Sequence, residues 1–328
     1  MSTIKNTVIP IIQKVINLIF YQGALVLDSI IINKEKNISL YHVTALFIKE
    51  LKKNKLGAQA NSVAFNFMLA IFPAIIFLFT LIPYVPIGDV ETNILAGLKT
   101  VLPASIYQGA AQTIDDLMNR PREGLLSFGF VSALYLATNG TMSLMNAFNN
   151  CYKTKETRTV IYKRLIATGL TLVLSFVLIC GVVLIFSGKM VESYLSGLFM
   201  IDQDLSYLLI RIGEYALFLF IFLVSISLLY YFGPSLNNKW RFFSTGSIYC
   251  TFLAAAASMA FAYYVNNFGT YNKVYGSIGT LIGFMIWLKM ISFILLLGFE
   301  INASLDSAKR GIKVKKVFAL GRGFFSKK

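Results

Sequence analysis

Six long apolar blocks alternate with polar stretches along this chain. They cover residues 63–84, 125–147, 165–187, 207–232, 242–265 and 278–303. Each is long enough to cross a hydrocarbon layer of about 30 Å at about 1.5 Å of rise per residue. The pattern predicts an all-α polytopic bundle of six transmembrane helices. The third block carries no charge, whereas polar residues interrupt the second. Tyr84, Tyr207, Tyr230, Tyr231, Trp240, Tyr263 and Tyr264 fall near block ends, where amphipathic rings favour the membrane interface.

The flanking segments predict smaller elements. In the first 20 residues, Ile4, Val8, Ile11, Ile12, Val15 and Ile19 share one helical side. Asn6, Gln13, Lys14 and Asn17 share the other. A second amphipathic helix is expected from Leu40 to Lys55, with Leu40, Val43, Phe47 and Leu51 opposite Lys49, Lys52 and Lys53, and with Gly57 ending it. Both suit helices lying in the interface, and both equally suit helices docked on the bundle. In the loop 85–124, Asp89 is placed to cap one short helix and Pro103 to open another carrying Ile106, Ala110, Ile114 and Leu117. The expected organisation is an amphipathic segment 1–60, a membrane domain 61–303 and a basic tail 304–328.

Charge sets the orientation. The N-terminal segment, the second and fourth loops and the tail hold 23 Lys and Arg against five acids. The alternate loops hold five against eight. Basic residues stay on the cytoplasmic side, so both termini are predicted inside. This topology accounts for the formal net charge of +15 and leaves no need for nucleic acid as a partner. Membrane lipids are the expected partner, and the sequence sets no oligomeric state. Cys151, Cys180 and Cys250 are far apart and His42 stands alone, so neither a metal site nor a cofactor is expected.

Polar groups inside the blocks are the candidate chemistry, because an ionised side chain at mid-bilayer costs at least about 2.5 kcal/mol. Ser132, Tyr135, Asn139, Ser143, Asn146 and Asn150 recur at spacings of three or four and share one face. Asn66 adds an amide to the first block. Pro73 frees a carbonyl there, marking a helix kink. Arg211 and Glu214 lie in the fourth block, and Lys289 and Glu300 in the sixth. Lys289 is expected to be buried and to reach Glu214, with Arg211 sharing the carboxylate. Asn66, Asn139, Asn146, Arg211, Glu214, Lys289 and Glu300 are together the candidate polar pathway or cavity. The competing expectation for the asparagines is hydrogen bonding between helices. Ala254–Ala257, Ser258, Ala260 and Ala262, and Gly276, Gly279 and Gly283, predict faces of close helix approach.

Three stretches carry a family resemblance. They are NSVAFNFMLAIFPAIIFLFTLIP (61–83), with its Ile71-Phe72-Pro73 turn, GLLSFGFVSALYLATNGTMSLMNAFNNCYKTKETR (124–158), and YYFGPSLNNKWRFFSTGS through YGSIGTLIGFMIWLKMISFILLLGFEINA. Together they resemble the YihY/BrkB family of bacterial inner-membrane proteins. The resemblance implies six spans in the cytoplasmic membrane and a role in virulence or envelope integrity. It also brings a historical ribonuclease BN label that the residues do not support. The cytoplasmic acids Asp28, Glu35, Glu50, Glu156 and Asp306 are scattered, and no P-loop, G-x-S-x-G or H-E-x-x-H is present. Lys289 stands where the resemblance implies an uncharged residue. No enzyme is expected. The expected function is a transporter or lipid-handling protein acting on an anionic or amphiphilic substrate, with a non-transporting envelope scaffold as the alternative and a membrane-associated ribonuclease behind both.

Overall fold

The computed structural model describes residues 31–33, 38–81, 122–177, 179, 203–236, 238–267 and 277–310. The expected elements within 1–30, the loop 85–121 and the tail beyond 310 lie outside the described residues. A two-stranded ribbon pairs β1 (Ile31–Asn33) with β2 (Ile38–Ser39) antiparallel. The helices are α1 (Leu40–Lys53), α2 (Leu56–Leu81), α3 (Glu123–Tyr152), α4 (Val160–Val177), α5 (Gln203–Phe232), α6 (Thr245–Asn267) and α7 (Ser277–Lys309). Among the described residues, α2 to α7 are the six helices long and apolar enough to cross a membrane. The polytopic helical fold expected from the blocks is the fold observed. Several helices outrun the apolar block that signalled them, because a helix continues past the hydrocarbon for as long as its backbone is bonded.

The chain divides into two compact units. Met1–Lys55 and Glu300–Lys328 form one, and Leu56–Phe299 the other. In the smaller unit Ser39 caps α1 by accepting a hydrogen bond from the His42 backbone N–H at 3.3 Å. Val43 and Leu46 of α1 are buried against Leu305 and Ala308. The helix does not end at Gly57. Asn54 closes it by donating its backbone N–H to the Glu50 carbonyl, and Lys55 takes a positive φ of 45°. Gly57 instead falls in the first turn of α2.

In the larger unit two glycines of α3 hold α2 close. A Cβ on Gly140 would lie 2.6 Å from the Phe67 ring, and one on Gly129 would lie 3.1 Å from the Phe77 backbone. The two glycines are about three turns apart and so share an edge of α3. Thr141 and Thr171 join α3 to α4 through their hydroxyls at 2.8 Å. Met145, Ala167 and Leu170 bury themselves beside that contact. Helix α6 starts from a reciprocal cap, with the Ser244 and Ser247 hydroxyls each accepting the other's backbone N–H.

Helix α7 meets three neighbours with three faces. Toward α5, the Tyr230 hydroxyl donates to the Leu295 carbonyl at 2.6 Å. Toward α6, the Trp287 indole donates to Ser258 at 3.3 Å and the Cys250 thiol to the Ile294 carbonyl at 3.5 Å. Toward α2 it presents Ile282, Met285, Ile286 and Lys289. The tightest approach is at Gly298. A Cβ there would lie 2.5 Å from the Tyr230 hydroxyl, 2.6 Å from Cys250 Cβ and 2.9 Å from the Gly246 carbonyl. Gly283, expected to allow close approach, would meet only Phe261, at 4.0 Å. Of the other two glycines expected on that face, Gly276 lies outside the described residues and Gly279 is buried.

Candidate functional site

Two places in the larger unit gather charge, and their environments differ. The first lies where the loop after α3 meets the end of α5. Helix α3 ends in a left-handed Lys153, with the Thr154 N–H returning to the Asn149 carbonyl at 3.0 Å. That turn sends Glu156 back over Asn149. The buried Asn149 amide donates to Glu156 Oε2 at 2.9 Å and accepts the Ser235 backbone N–H at 2.8 Å. Arg158 closes the ring. It donates from Nε to Glu156 Oε1 at 2.7 Å, from Nη2 to Oε2 at 2.9 Å, and from Nη2 to the Gly233 carbonyl at 2.9 Å. Lys163 lies 3.5 Å from the same carboxylate. The Arg158 hydrogen bond holds the Glu156 carboxyl down at about 2 against an ordinary 4.5, with partial burial opposing it.

Beneath this staple sits an aromatic cluster. Phe148 stacks on Phe299 with ring centroids 4.4 Å apart, and Tyr230 meets both edge-on at 5.4 and 5.5 Å. Trp240 lies 5.1 Å from Phe299 and Tyr152 5.6 Å from Trp240. Phe148 and Phe299 are fully buried. Every charged group of the staple has a partner, and the two central rings below are fully buried. It is a fastening between loops.

The polar stripe of α3 is engaged in the same manner. Asn66 donates from Nδ2 to Ser143 Oγ at 2.9 Å, linking α2 to α3, and to its own helix at the Ser62 carbonyl. Arg164 of α4 donates to Asn139 Oδ1 at 2.8 Å and lies over the Tyr135 ring, 4.2 Å from its centroid. Lys163 donates to Asn146 Oδ1. Each of the three asparagines therefore carries a bond to another helix, a normal use of side-chain amides inside a bundle.

Lys289 is different. It lies twelve residues into α7, about 18 Å along the axis. It opens on a groove of about 440 Å³ lined by Asn61, Ala64 and Phe65 of α2 and by Ile282, Met285, Ile286 and Lys289 of α7. Residues 282, 285, 286 and 289 form one helical face. Lys289 itself is exposed. Among the described residues none forms an ion pair or hydrogen bond with it. The expected burial of Lys289 against Glu214 is thus corrected. The contacts of α7 with α5 run through Leu295 and Phe299, about 100° round the axis from Lys289. Glu214, half-buried on α5, is engaged elsewhere.

The remaining candidates are placed as follows. Arg211 lies on α5, with its side chain outside the described residues. Pro73 is half-buried within α2, which runs through it unbroken. Glu300 belongs to the smaller unit, is 1 % exposed, and accepts a hydrogen bond from Asn54 Nδ2 at 3.1 Å. Sequence reasoning did not single out Asn149, Arg158 or Arg164. The signal for the first two was the pair of short loops, KTKETR and GPSLNN, that close the same end of the bundle.

A family model described as virulence factor BrkB matches residues 47–317. The chain is 30% identical over 268 residues to the ribonuclease-like protein YfkH of Bacillus subtilis, spanning 80% of this chain and 96% of that one. It is 23% identical over 270 residues to a UPF0761 membrane protein of Haemophilus influenzae (82% and 97% of the two chains). A UPF0761 membrane protein of Mannheimia succiniciproducens is 22% identical over 269 residues, 81% of this chain and 90% of that one. No solved structure matches.

Proposed function

The chain belongs to the BrkB family of multi-pass membrane proteins, and on that premise we propose that it handles an anionic or amphiphilic molecule within the bilayer, as a transporter or lipid-handling protein supporting envelope integrity. The observation that carries this reading is Lys289, a cation near the middle of a membrane-spanning helix with no partner among the described residues. A charge in that position costs at least about 2.5 kcal/mol on insertion scales. Water, the membrane interface or a negative group can each offset the cost, and the reading here is that a negative ligand does so. A scaffold has no use for such a group, since the staple and the α3 stripe already bind the helices with partnered side chains.

The word ribonuclease belongs to the printed name of YfkH. Hydrolysis of a phosphodiester calls for clustered carboxylates or histidines, commonly around metal ions. Among the described residues no three His, Cys, Asp or Glu come together in that way. Glu156 is committed to Arg158, Asn149 and Lys163. The function proposed here does not include phosphodiester hydrolysis.

Reconstitution into vesicles tests it. Wild-type protein should accelerate transbilayer movement of a fluorescent phospholipid or fatty acid, and Lys289→Met should abolish the acceleration. Purified protein should leave tRNA intact with Mg²⁺, Mn²⁺ or Zn²⁺ present. Processing of tRNA that is lost in Glu156→Gln would overturn the reading.

A further inference from the structure

We propose that the α2–α7 groove is a lateral docking site for an anionic phospholipid. Its headgroup phosphate meets Lys289 and Asn61, and an acyl chain lies along Phe65, Ile282, Met285 and Ile286. The assignment rests on the reading that this groove is the working site, and it names the ligand class and the route of entry.

The chemistry of the lining selects the headgroup. Among the described residues the groove offers one cation, one amide and otherwise apolar side chains, with no carboxylate. A phosphodiester brings one negative charge and oxygens that accept hydrogen bonds, so it satisfies both polar groups of the groove. A zwitterionic headgroup brings a second, positive charge beside Lys289, and no acid among the described lining residues receives it. The groove therefore discriminates by what it lacks as well as by what it holds.

The walls select the route. Phe65 is 53% exposed, Met285 41% and Ile286 49%. Their positions on two membrane-spanning helices turn that exposure toward hydrocarbon, so the groove opens sideways into the bilayer. Asn61 and Phe65 stand one turn apart on α2. On α7 the stretch from Ile282 to Lys289 covers about two turns, so apolar wall and polar head follow one another along the groove. The volume of about 440 Å³ suits a headgroup and the upper part of a chain. A water-soluble anion would have to cross apolar surface to reach the same lysine, whereas a phospholipid beside the groove can keep its chains in hydrocarbon while its headgroup is drawn in toward Lys289.

Photo-cross-linking reads the occupant directly. Benzoylphenylalanine replaces Phe65 in the full chain, and in a second protein replaces Phe252, which is 61% exposed on α6. Each is reconstituted in equimolar phosphatidylglycerol and phosphatidylcholine, and mass spectrometry identifies the captured lipid. Position 65 should capture phosphatidylglycerol about fivefold or more over phosphatidylcholine, while position 252 follows the bulk ratio. Adding Lys289→Met should bring position 65 to the ratio at 252 while the thermal midpoint of unfolding stays level or rises. Added inorganic phosphate should not reduce capture. Equal capture of both lipids at position 65, selectivity that survives Lys289→Met, or displacement by inorganic phosphate would each overturn the docking site. Selective capture without transbilayer movement would leave the docking site standing and overturn the transport reading. Movement without selectivity would do the reverse.

Discussion

The staple around Glu156 and the groove around Lys289 belong to the same compact unit and treat charge in opposite ways. At the staple a carboxylate, a guanidinium, an ammonium and an amide satisfy one another, above a stacked and buried pair of aromatic rings. In the groove a single ammonium stands exposed among apolar side chains. Paired polar groups in a bundle strengthen it modestly and fix its loops. One without a partner among the described residues carries a cost, and on the reading proposed above a ligand meets it. The contrast separates residues that hold the fold from residues available for work, a separation that polarity alone does not make.

If that separation is right, perturbing the fastened end should cost stability and perturbing the groove should not. The largest loss is expected at Gly298→Leu. Its side chain would be driven into the Tyr230 hydroxyl, Cys250 and the Gly246 backbone, where backbone cannot give way. A loss of about 3 kcal/mol or more should appear as a large drop in the thermal midpoint in detergent. Asn149→Ala comes next, because it strands the Ser235 N–H and removes a donor from Glu156. A loss of about 2 kcal/mol is expected, with Asn149→Asp failing to rescue because a second carboxylate would face Glu156.

Acid should loosen the staple with a defined sign. The Glu156 carboxyl is depressed from 4.5 to about 2, so its contribution is fully present above about 4.5 and is lost as pH falls toward 2. Glu156→Gln should flatten the wild-type fall in thermal midpoint across that window. A mutant that keeps the full wild-type slope would show that the ion pair contributes nothing measurable.

The sequence made the bundle legible because hydropathy reports what a hydrocarbon layer demands. All six predicted spans have a helix among the described residues, and where both bounds are described the ends differ by a few residues. The polar end of α3 runs on to Tyr152, and α7 runs on to Lys309, since no hydropathy signal marks where a backbone stops hydrogen bonding. The stripe on α3 was legible as a stripe, from its spacing of three and four. Its partners were not, because Arg164 and Lys163 come from a different helix and reach it through long side chains. Lys289 was legible as costly. Its neighbour was misjudged, since depth along two helices cannot tell which face of α7 looks toward α5 and which toward α2.

The smallest effect on stability is expected at Lys289→Met, where removing an unpaired cation should leave the midpoint unchanged or raise it. That makes Lys289→Met the measurement that bears most directly on the division between holding and working. Transbilayer movement of fluorescent phosphatidylglycerol in vesicles, recorded beside the thermal midpoint of the same preparations, should show wild-type protein accelerating movement. Lys289→Met should lose the acceleration at an equal or higher midpoint. A Lys289→Met protein that moves the lipid as fast as wild type, or that unfolds at a much lower temperature, would contradict the assignment of Lys289 to the work of this protein.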